Sequence, residues 1–164
     1  MANTTRVLWS AAILLFLAVA GVAVYKVWPL LNPTLSEVAT LDPDCDLRAG
    51  PCTGQLADGT RITFGIEPRE IPVVQPLNLE VTVEGREIFG VEVDFTGVDM
   101  NMGFNRPKLE RVGEGRYSGG GILPVCIRNA MEWEARVLAS TENGLVAAPF
   151  RFITVKPGGA LPKR

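Results

Sequence analysis

Apolar residues form one unbroken run near the start of the chain and alternate with polar residues over most of the rest. The run covers residues 7–25 and contains no charged residue. A helix of that length spans roughly 28 Å, close to the hydrocarbon thickness of a bilayer. The pattern predicts an N-terminal membrane anchor over residues 1–31.

Aromatic residues mark both ends of the predicted anchor. Trp9 lies near its start, and Tyr25 and Trp28 lie near its end, where amphipathic rings favour the headgroup level. Pro29 is expected to end the helix because proline lacks a backbone N–H. Contact with membrane lipid is therefore predicted over residues 7–28.

The charges that flank the apolar run predict the orientation of the anchor. Arg6 and the free amino terminus precede the run and Lys26 follows it, which favours a cytoplasmic N-terminus and an outer C-terminal domain. A second interpretation is a signal peptide cleaved after Ala20, because Ala18 and Ala20 fit a small-x-small cleavage site. The retained anchor is favoured because the apolar run continues through Val24.

Beyond the anchor, apolar positions recur with a period of two, which is the spacing of a half-buried β-strand. Asp58-Gly59 and Asn143-Gly144 are typical of hairpin turns, since such dipeptides tolerate positive φ. The pattern predicts an all-β domain of about seven short strands in two packed antiparallel sheets. The predicted strands are 53–56, 61–66, 77–83, 91–95, 116–123, 131–137 and 146–152.

Composition divides the chain beyond the anchor into three parts. Residues 32–44 carry Pro33 and Pro43 among polar residues, which is typical of a linker. Residues 45–156 hold all the predicted strands and are predicted to form one extracytoplasmic β-domain. Residues 157–164, with the sequence PGGALPKR, are predicted to be a flexible tail.

Three cysteines follow the anchor. Cys45 and Cys52 enclose a short segment with Gly50 and Pro51, and in an oxidising compartment this spacing predicts a local disulfide. A redox-active or metal-binding dithiol is the alternative, although redox motifs usually place two residues between their cysteines. Cys126 is left over in an apolar stretch, either as a buried thiol that packs like a small hydrophobe or as a thiolate ligand.

Charge and composition exclude several classes of protein. Of the 16 Lys and Arg residues, Arg6 and Lys26 belong to the anchor, whereas all 18 Asp and Glu residues lie from Glu37 onward. An acidic domain without a basic patch is not expected to bind nucleic acid. The chain has no histidine, which excludes Ser-His-Asp and Cys-His catalysis and any zinc, haem or copper site built on histidine. The chain is therefore not predicted to be an enzyme.

Three further motifs are predicted to be structural. Glu132 and Glu134 alternate along a predicted strand, which is typical of a solvated face rather than of an acid–base pair. The glycine run 119–121 lacks the lysine of a phosphate-binding loop and is expected to let two backbones approach or to mark a bulge. Arg106 and its basic neighbours are predicted to lie in a solvated loop.

Short motifs in the second half of the chain resemble a known group of proteins. The motifs are Val98-Asp-Met-Asn-Met-Gly-Phe104, Gly113-Glu-Gly-Arg-Tyr117 and Met131-Glu-Trp133-Glu-Ala-Arg-Val137. A Met-rich segment, a strand beginning G-x-Y and a later W-x-x-x-V strand resemble the FixH/YtkA-like group of small membrane-linked extracytoplasmic domains, over about residues 75–153. The resemblance implies an immunoglobulin-like sandwich and a supporting role in copper handling or in assembly of a respiratory oxidase. The cysteines of this chain lie outside that pattern.

Sulfur-bearing residues make Cu(I) the candidate metal. Met100 and Met102 form M-x-M, and on a strand residues i and i+2 point the same way. With the Cys126 thiol they would make a soft three-coordinate site, to which Met131 would add a fourth ligand, and soft sulfur ligands select Cu(I). The alternative is that both methionines pack in or beside the core as ordinary apolar residues.

These features predict a single-pass protein of the bacterial inner membrane, with a cytoplasmic N-terminus and a periplasmic domain. Its predicted function is that of a non-catalytic accessory or assembly protein whose partner is a respiratory membrane complex. A Cu(I)-handling metallochaperone that uses Met and Cys ligands is the first alternative. A thiol–disulfide oxidoreductase that uses Cys45 and Cys52 is the second.

Overall fold

The computed structural model describes residues 2–31, 34–40, 42–156 and 159. The chain divides into two compact units, Met1–Thr34 and Leu35–Arg164. The predicted tail at residues 157–164 lies, apart from Gly159, outside the described residues.

The first unit is one long helix, α1, over Ala2–Leu31. Its segment Arg6–Pro29 exposes its apolar side chains, so α1 is long and apolar enough to span a membrane. Pro29 does not end the helix, contrary to the prediction, and α1 continues through it to Leu31. Pro29 has no N–H to donate to the carbonyl oxygen four residues earlier, so its cost is one helical hydrogen bond close to the end of α1.

The second unit is mostly β, and its described residues form nine strands in one curled sheet. The strands are β1 Leu35–Val38, β2 Cys52–Gln55, β3 Arg61–Glu67, β4 Leu77–Glu84, β5 Gly90–Gly97, β6 Lys108–Gly113, β7 Arg116–Gly121, β8 Ala130–Thr141 and β9 Gly144–Val155. Their order across the sheet is β1-β9-β8-β5-β6-β7-β4-β3-β2. β1 and β9 run parallel, and all other neighbours are antiparallel.

The sheet curls so that its inward faces share one apolar core. β6 joins the two halves of the sheet, since it pairs with β7 on one side and, through two residue pairs, with β5 on the other. Across the core, the ring centroids of Phe64 on β3 and Phe150 on β9 lie 5.5 Å apart. A sandwich of about seven strands is therefore not confirmed: the domain is β-rich as predicted, but its nine strands form one half-barrel sheet.

The sequence prediction misses two of the nine strands, β1 and β6. β1 lies within residues 32–44, which the sequence predicts to be a linker, and β6 lies between two predicted strands. β1 has four residues, over which a period of two is barely detectable, and most side chains of β6 are exposed. Residues 35–38 therefore belong to the β-domain and not to a linker.

Side chains fasten β1 to the domain in addition to its pairing with β9. The Glu37 carboxylate accepts a hydrogen bond from the N–H of Ala57 at 2.6 Å and lies 3.6 Å from the guanidinium of Arg86. Arg86 also pairs with Asp58 in the turn between β2 and β3. These contacts join the strand that follows α1 to two separate turns of the sheet.

Cys45 and Cys52 form the predicted disulfide, with their Cα atoms 5.7 Å apart. The loop that they close carries Leu47, whose side chain is 1% exposed and packs in the core. Arg48 holds this loop by donating to the carbonyl oxygen of Glu70 at 2.6 Å and to a carbonyl oxygen of β9. The disulfide thus closes a short loop that contributes one large side chain to the core.

Three loops lie together at one end of the β-domain. They are residues 68–76, 98–107 and 122–129, which join β3 to β4, β5 to β6 and β7 to β8. The N–H of Val74 donates to the carbonyl oxygen of Leu123 at 2.8 Å, and Nδ2 of Asn105 donates to that of Ile122 at 2.9 Å. We call this end, formed by the three loops, the loop end.

The chain enters the β-domain at the end opposite to the loop end. β1 runs parallel to β9, and Leu35 pairs with Leu145 near the start of β9. β9 then runs to the loop end, where the N–H of Lys156 donates to the carbonyl oxygen of Asn129 at 3.0 Å. The β-domain therefore receives the chain at one end and carries the three loops at the other.

Candidate metal centre

Met100 and Met102 lie in the 98–107 loop. The M-x-M interpretation requires both residues to lie on a strand, so this part of the prediction is wrong. Asn101 interrupts the extended backbone, because its Oδ1 accepts a hydrogen bond from the N–H of Gly103 at 2.8 Å. Gly103 has a φ of 82°, a conformation that favours glycine. The two methionines are therefore neighbours in a turn, and both pack partly buried against the core.

Cys126 meets Met100 from the neighbouring loop. Its Sγ atom lies 3.8 Å from the Sδ atom of Met100, with the thiol as the donor. The backbone N–H of Arg128 is directed at the same sulfur, with its nitrogen 3.5 Å from Sγ. Cys126 is 9% exposed, so the structure confirms a buried thiol and places it in contact with a thioether.

Gly97, the last residue of β5, is the point at which the other sulfur side chains converge. A Cβ atom added there would overlap Cε of Met131 and the carbonyl oxygen of Met100, and would lie 3.3 Å from Cγ of Met102. Only glycine leaves room for all three neighbours at this position. The absence of a side chain at Gly97 is therefore a condition for the methionines to come together.

Met131 lies near both Gly97 and the Cys126 thiol. It is the second residue of β8, is 5% exposed, and lines a small cavity together with Cys126. Met100 and Met102 line a separate cleft along the 98–107 loop. All four residues proposed from the sequence are thus brought to the loop end, three of them around Gly97 and one in contact with Met100.

The 3.8 Å separation of the two sulfur atoms fits a packing contact and also fits a shared metal ion. Two sulfurs that each lie about 2.3 Å from one ion, at angles between trigonal and tetrahedral, are about 3.8–4.0 Å apart. A thiol with thioethers is a soft donor set, which Cu(I) prefers over harder ions. Within the part of the chain that the structure describes, no three His, Cys, Asp or Glu side chains form an alternative cluster. The donor set therefore fits Cu(I).

Polar contacts hold the 98–107 and 122–129 loops in place. Nη1 of Arg128 lies 3.5 Å from Oδ2 of Asp99, and both side chains are more than half exposed. Exposed pairs of this kind contribute at most about 1 kcal/mol. Nζ of Lys156 donates to the carbonyl oxygen of Ile127 at 2.7 Å, which fixes the 122–129 loop to the end of β9.

Glu132 and Glu134 are not arranged as an acid–base pair. Glu134 accepts hydrogen bonds from Arg136 at 2.7 Å and from Arg151 at 3.2 Å. Burial raises the pKa of Glu134, but the two guanidinium groups outweigh burial and hold the pKa below its usual range. Glu134 is therefore an ionised carboxylate within a charged network on the outer face of the sheet.

Arg106 lies in a different environment from the solvated loop that the sequence predicts. Its Nη2 donates to Oδ2 of Asp94 at 2.9 Å, and both side chains are nearly buried. Its guanidinium carbon lies 5.1 Å from the ring centroid of Phe104. Asp94 shares its alternating position on β5 with Glu92 and Thr96, so nothing in the sequence set it apart as the buried partner of Arg106.

Sequence reasoning also missed the role of Gly97. The available signal was its position, since a glycine at a strand end often marks close approach of another group, here directly before the methionine segment. A comparison with models of known protein families finds no match for this chain, and a comparison with curated proteins finds none either. The site is therefore interpreted from its own geometry.

Proposed function

We propose that this chain is a membrane-anchored, non-catalytic accessory protein whose β-domain binds Cu(I) through Met100, Met102, Cys126 and Met131. The observation that carries the proposal is the 3.8 Å approach of the Cys126 and Met100 sulfur atoms. The convergence of the remaining two side chains on Gly97 supports it. Soft ligands of this kind suit an ion that is held and handed on, and they require no acid–base group.

Within the proposed site the thiol and the thioethers have different tasks. Cys126 would bind as a thiolate, so Cu(I) uptake releases its proton. The backbone N–H of Arg128 would donate to the anionic sulfur, as outer hydrogen bonds do in other metal sites. The three methionines are uncharged, and they complete the coordination without adding charge to a largely buried site.

We test this function by titrating the full chain, in detergent micelles, with Cu(I) against a competing chelator. Met100→Ala combined with Met102→Ala is expected to weaken binding by more than about tenfold, since even outer-shell changes cost metal sites that much. Cys126→Ser is expected to weaken it further, and Ile127→Ala in the same loop is the matched control. An unchanged Cu(I) affinity in the double variant would leave the methionines as packing residues and end the proposal.

The proposed location is the bacterial inner membrane, with α1 retained as a single-pass anchor and the β-domain in the periplasm. The length and apolar surface of α1 support the anchor. Arg6, which directly precedes the apolar run, supports a cytoplasmic N-terminus. The Cys45–Cys52 disulfide supports an oxidising compartment for the domain.

The proposed partner is a respiratory membrane complex, as the resemblance to the FixH/YtkA-like group implies. Large apolar side chains that are exposed at the loop end support a contact with another protein. They are Val74, Val98, Phe104, Ile122, Val125 and Ile127. A respiratory complex that co-purifies with the wild-type chain but not with Ile127→Asp is the expected result. A solitary monomer in every mild detergent would contradict it.

At the level of the fold, we propose that the curled sheet is a variant of an immunoglobulin-like sandwich. The hydroxyl of Tyr117 donates to the carbonyl oxygen of Ile88 at 2.8 Å, a tie that is similar to the tyrosine corner of such sandwiches. Trp133 is completely buried in the core, as the central tryptophan of such domains is. A crystal structure in which the two halves of the curled sheet pack face to face around Trp133, with the Tyr117–Ile88 hydrogen bond kept, would support the variant, and a structure without that packing or that bond would contradict it.

The disulfide is proposed to be structural, so the chain is not proposed to be an oxidoreductase. Both cysteines are buried, whereas a catalytic disulfide must meet its substrate thiol at the surface. Exposure of the folded chain to reduced glutathione is expected to leave the Cys45–Cys52 bond intact. Rapid reduction would favour the oxidoreductase instead.

A further inference from the structure

Two hollows of very different size touch the four sulfur-bearing residues. An open cleft of about 450 Å³ is lined by Met100 and Met102. A second cavity, of about 10 Å³, is lined by Cys126 and Met131. A cavity needs about 10–15 Å³ to hold a single water molecule, so the smaller hollow has no room for an incoming metal ligand. The cleft has ample room for one.

The cleft reaches the buried sulfur residues at Gly97. Gly97 lines the cleft, and Cε of Met131 lies so close to it that an added Cβ atom would overlap that carbon. Met102 lies beside the same point, since that Cβ would be 3.3 Å from its Cγ. Met100, which also lines the cleft, contacts the Cys126 thiol. The cleft therefore adjoins the buried pair as well as the two methionines that line it.

The four sulfur residues become more exposed toward the cleft. Met131 is 5% exposed and Cys126 is 9% exposed, whereas Met100 and Met102 are half-buried. Val98, at the rim of the cleft, is 40% exposed. A ligand that arrives from solvent through the cleft therefore meets the thioethers of the 98–107 loop before it meets the thiol.

We infer that Cu(I) enters and leaves the proposed site through this cleft, by exchange with a sulfur ligand that an acceptor protein inserts beside Met102. The inference rests on the proposed Cu(I) function. A lone pair of the incoming sulfur bonds to Cu(I) as the bond to a thioether of this chain breaks, and the ion keeps its oxidation state. The Cys126 thiolate is released last and takes up a proton from solvent. The acceptor therefore carries its ligand on an exposed side chain, because only such a ligand reaches into the cleft.

Stopped-flow transfer of Cu(I) from the loaded full chain, in lipid nanodiscs, to the chelator bicinchoninate tests the route. The transfer rate of the wild type is expected to rise with the chelator concentration, because the chelator enters the cleft. Val98→Trp places an indole ring at the rim and is expected to slow transfer by about tenfold, the low end of the change that substitutions cause in association rates. Its equilibrium affinity for Cu(I) is expected to equal that of the wild type, since Val98 is not a ligand.

Val125→Trp is the matched control. Val125 is also an exposed valine, but it lines the small cavity beside Cys126, so this variant is expected to transfer Cu(I) at the wild-type rate. Thr96→Trp, at another wall of the cleft, replaces Val98→Trp if that variant misfolds or binds Cu(I) more weakly. Wild-type transfer by the cleft variant, or a greater slowing in Val125→Trp, would overturn the route alone. A wild-type chain that binds no Cu(I) would overturn the proposed function together with the route.

Discussion

The Sγ atom of Cys126 lies 3.8 Å from the Sδ atom of Met100, although 26 residues separate them along the chain. Two neighbouring loops bring the atoms together, and Gly97 leaves the space that Met131 and Met102 occupy beside them. The arrangement depends on the close approach of Met131 and of the Met100 backbone to the backbone of Gly97. Substitutions at glycine are therefore the most direct way to disturb it.

Gly97→Ala is expected to destabilise the domain and to disrupt the sulfur cluster at the same time. The new methyl group would overlap Met131 and the backbone of Met100, and backbone cannot move away as a flexible side chain does. Overpacking of this kind costs about 1–3 kcal/mol. Urea unfolding followed by Trp133 fluorescence measures the loss, and the Cu(I) titration measures the site. Gly90→Ala, at an open position, is the control, and an equal effect of the two would contradict a crowded Gly97.

Loss of the disulfide is expected to lower the free energy of unfolding by roughly 2–2.5 kcal/mol, the chain-entropy value for so short a loop. Cys45→Ala combined with Cys52→Ala removes the bond, and reduction of the wild type should give the same unfolding midpoint. Leu47→Ala keeps the bond but empties the core position, at a cost of about 2–5 kcal/mol. A double variant as stable as the oxidised wild type would show that the loop holds its place without the bond.

Stability is expected to fall in acid through Glu134. Arg136 and Arg151 hold its folded-state pKa below the ordinary value in spite of burial. A lowered folded pKa contributes stability that is fully present above the unfolded pKa, about 4.3, and is lost as the pH falls through the folded pKa. Unfolding midpoints measured from pH 7 to pH 3 should drop less steeply for Glu134→Gln than for the exposed control Glu110→Gln. Identical slopes would remove Glu134 from the acid response.

The full-length chain is expected to stay in the membrane fraction after alkaline carbonate extraction, because α1 presents a continuous apolar surface. Mass spectrometry of the extracted protein should show the residues before Gly21 still attached. Ala20→Leu, which would block a cleavage at that point, should leave the mass of the chain changed only by the substitution. A soluble product that begins at Gly21 would establish the cleaved signal peptide instead.

Seven strands are visible in the sequence because each buries one face, as in β4, where apolar residues recur at every second position. β6 escapes because its side chains are mostly exposed, and β1 escapes because four residues carry too little pattern. The curl of the sheet depends on the bridge that β6 makes to β5. The period of two in the apolar positions says which residues form a strand but not which strands pair. The sequence could therefore indicate the strands but not the pairing that joins them into one sheet.

The members of the sulfur site could be chosen from chemistry alone, because a chain without histidine leaves cysteine and methionine as its soft ligands. Their arrangement could not be predicted in the same way. The turn at Gly103 places Met100 and Met102 off any strand, and the loop contact to Cys126 follows from tertiary packing. Arg106 was misplaced for a similar reason, since its partner Asp94 lies on the preceding strand.

The parallel course of β1 and β9 has a practical consequence for handling the protein. β9 ends beside Lys156, whose Nζ contacts the backbone of Ile127, one residue from Cys126. A polyhistidine tag would add imidazole, a good copper ligand, to a sequence that has no imidazole of its own. Such a tag would compete for copper and imitate a binding site, so Cu(I) titrations are better made on protein from which the tag has been removed.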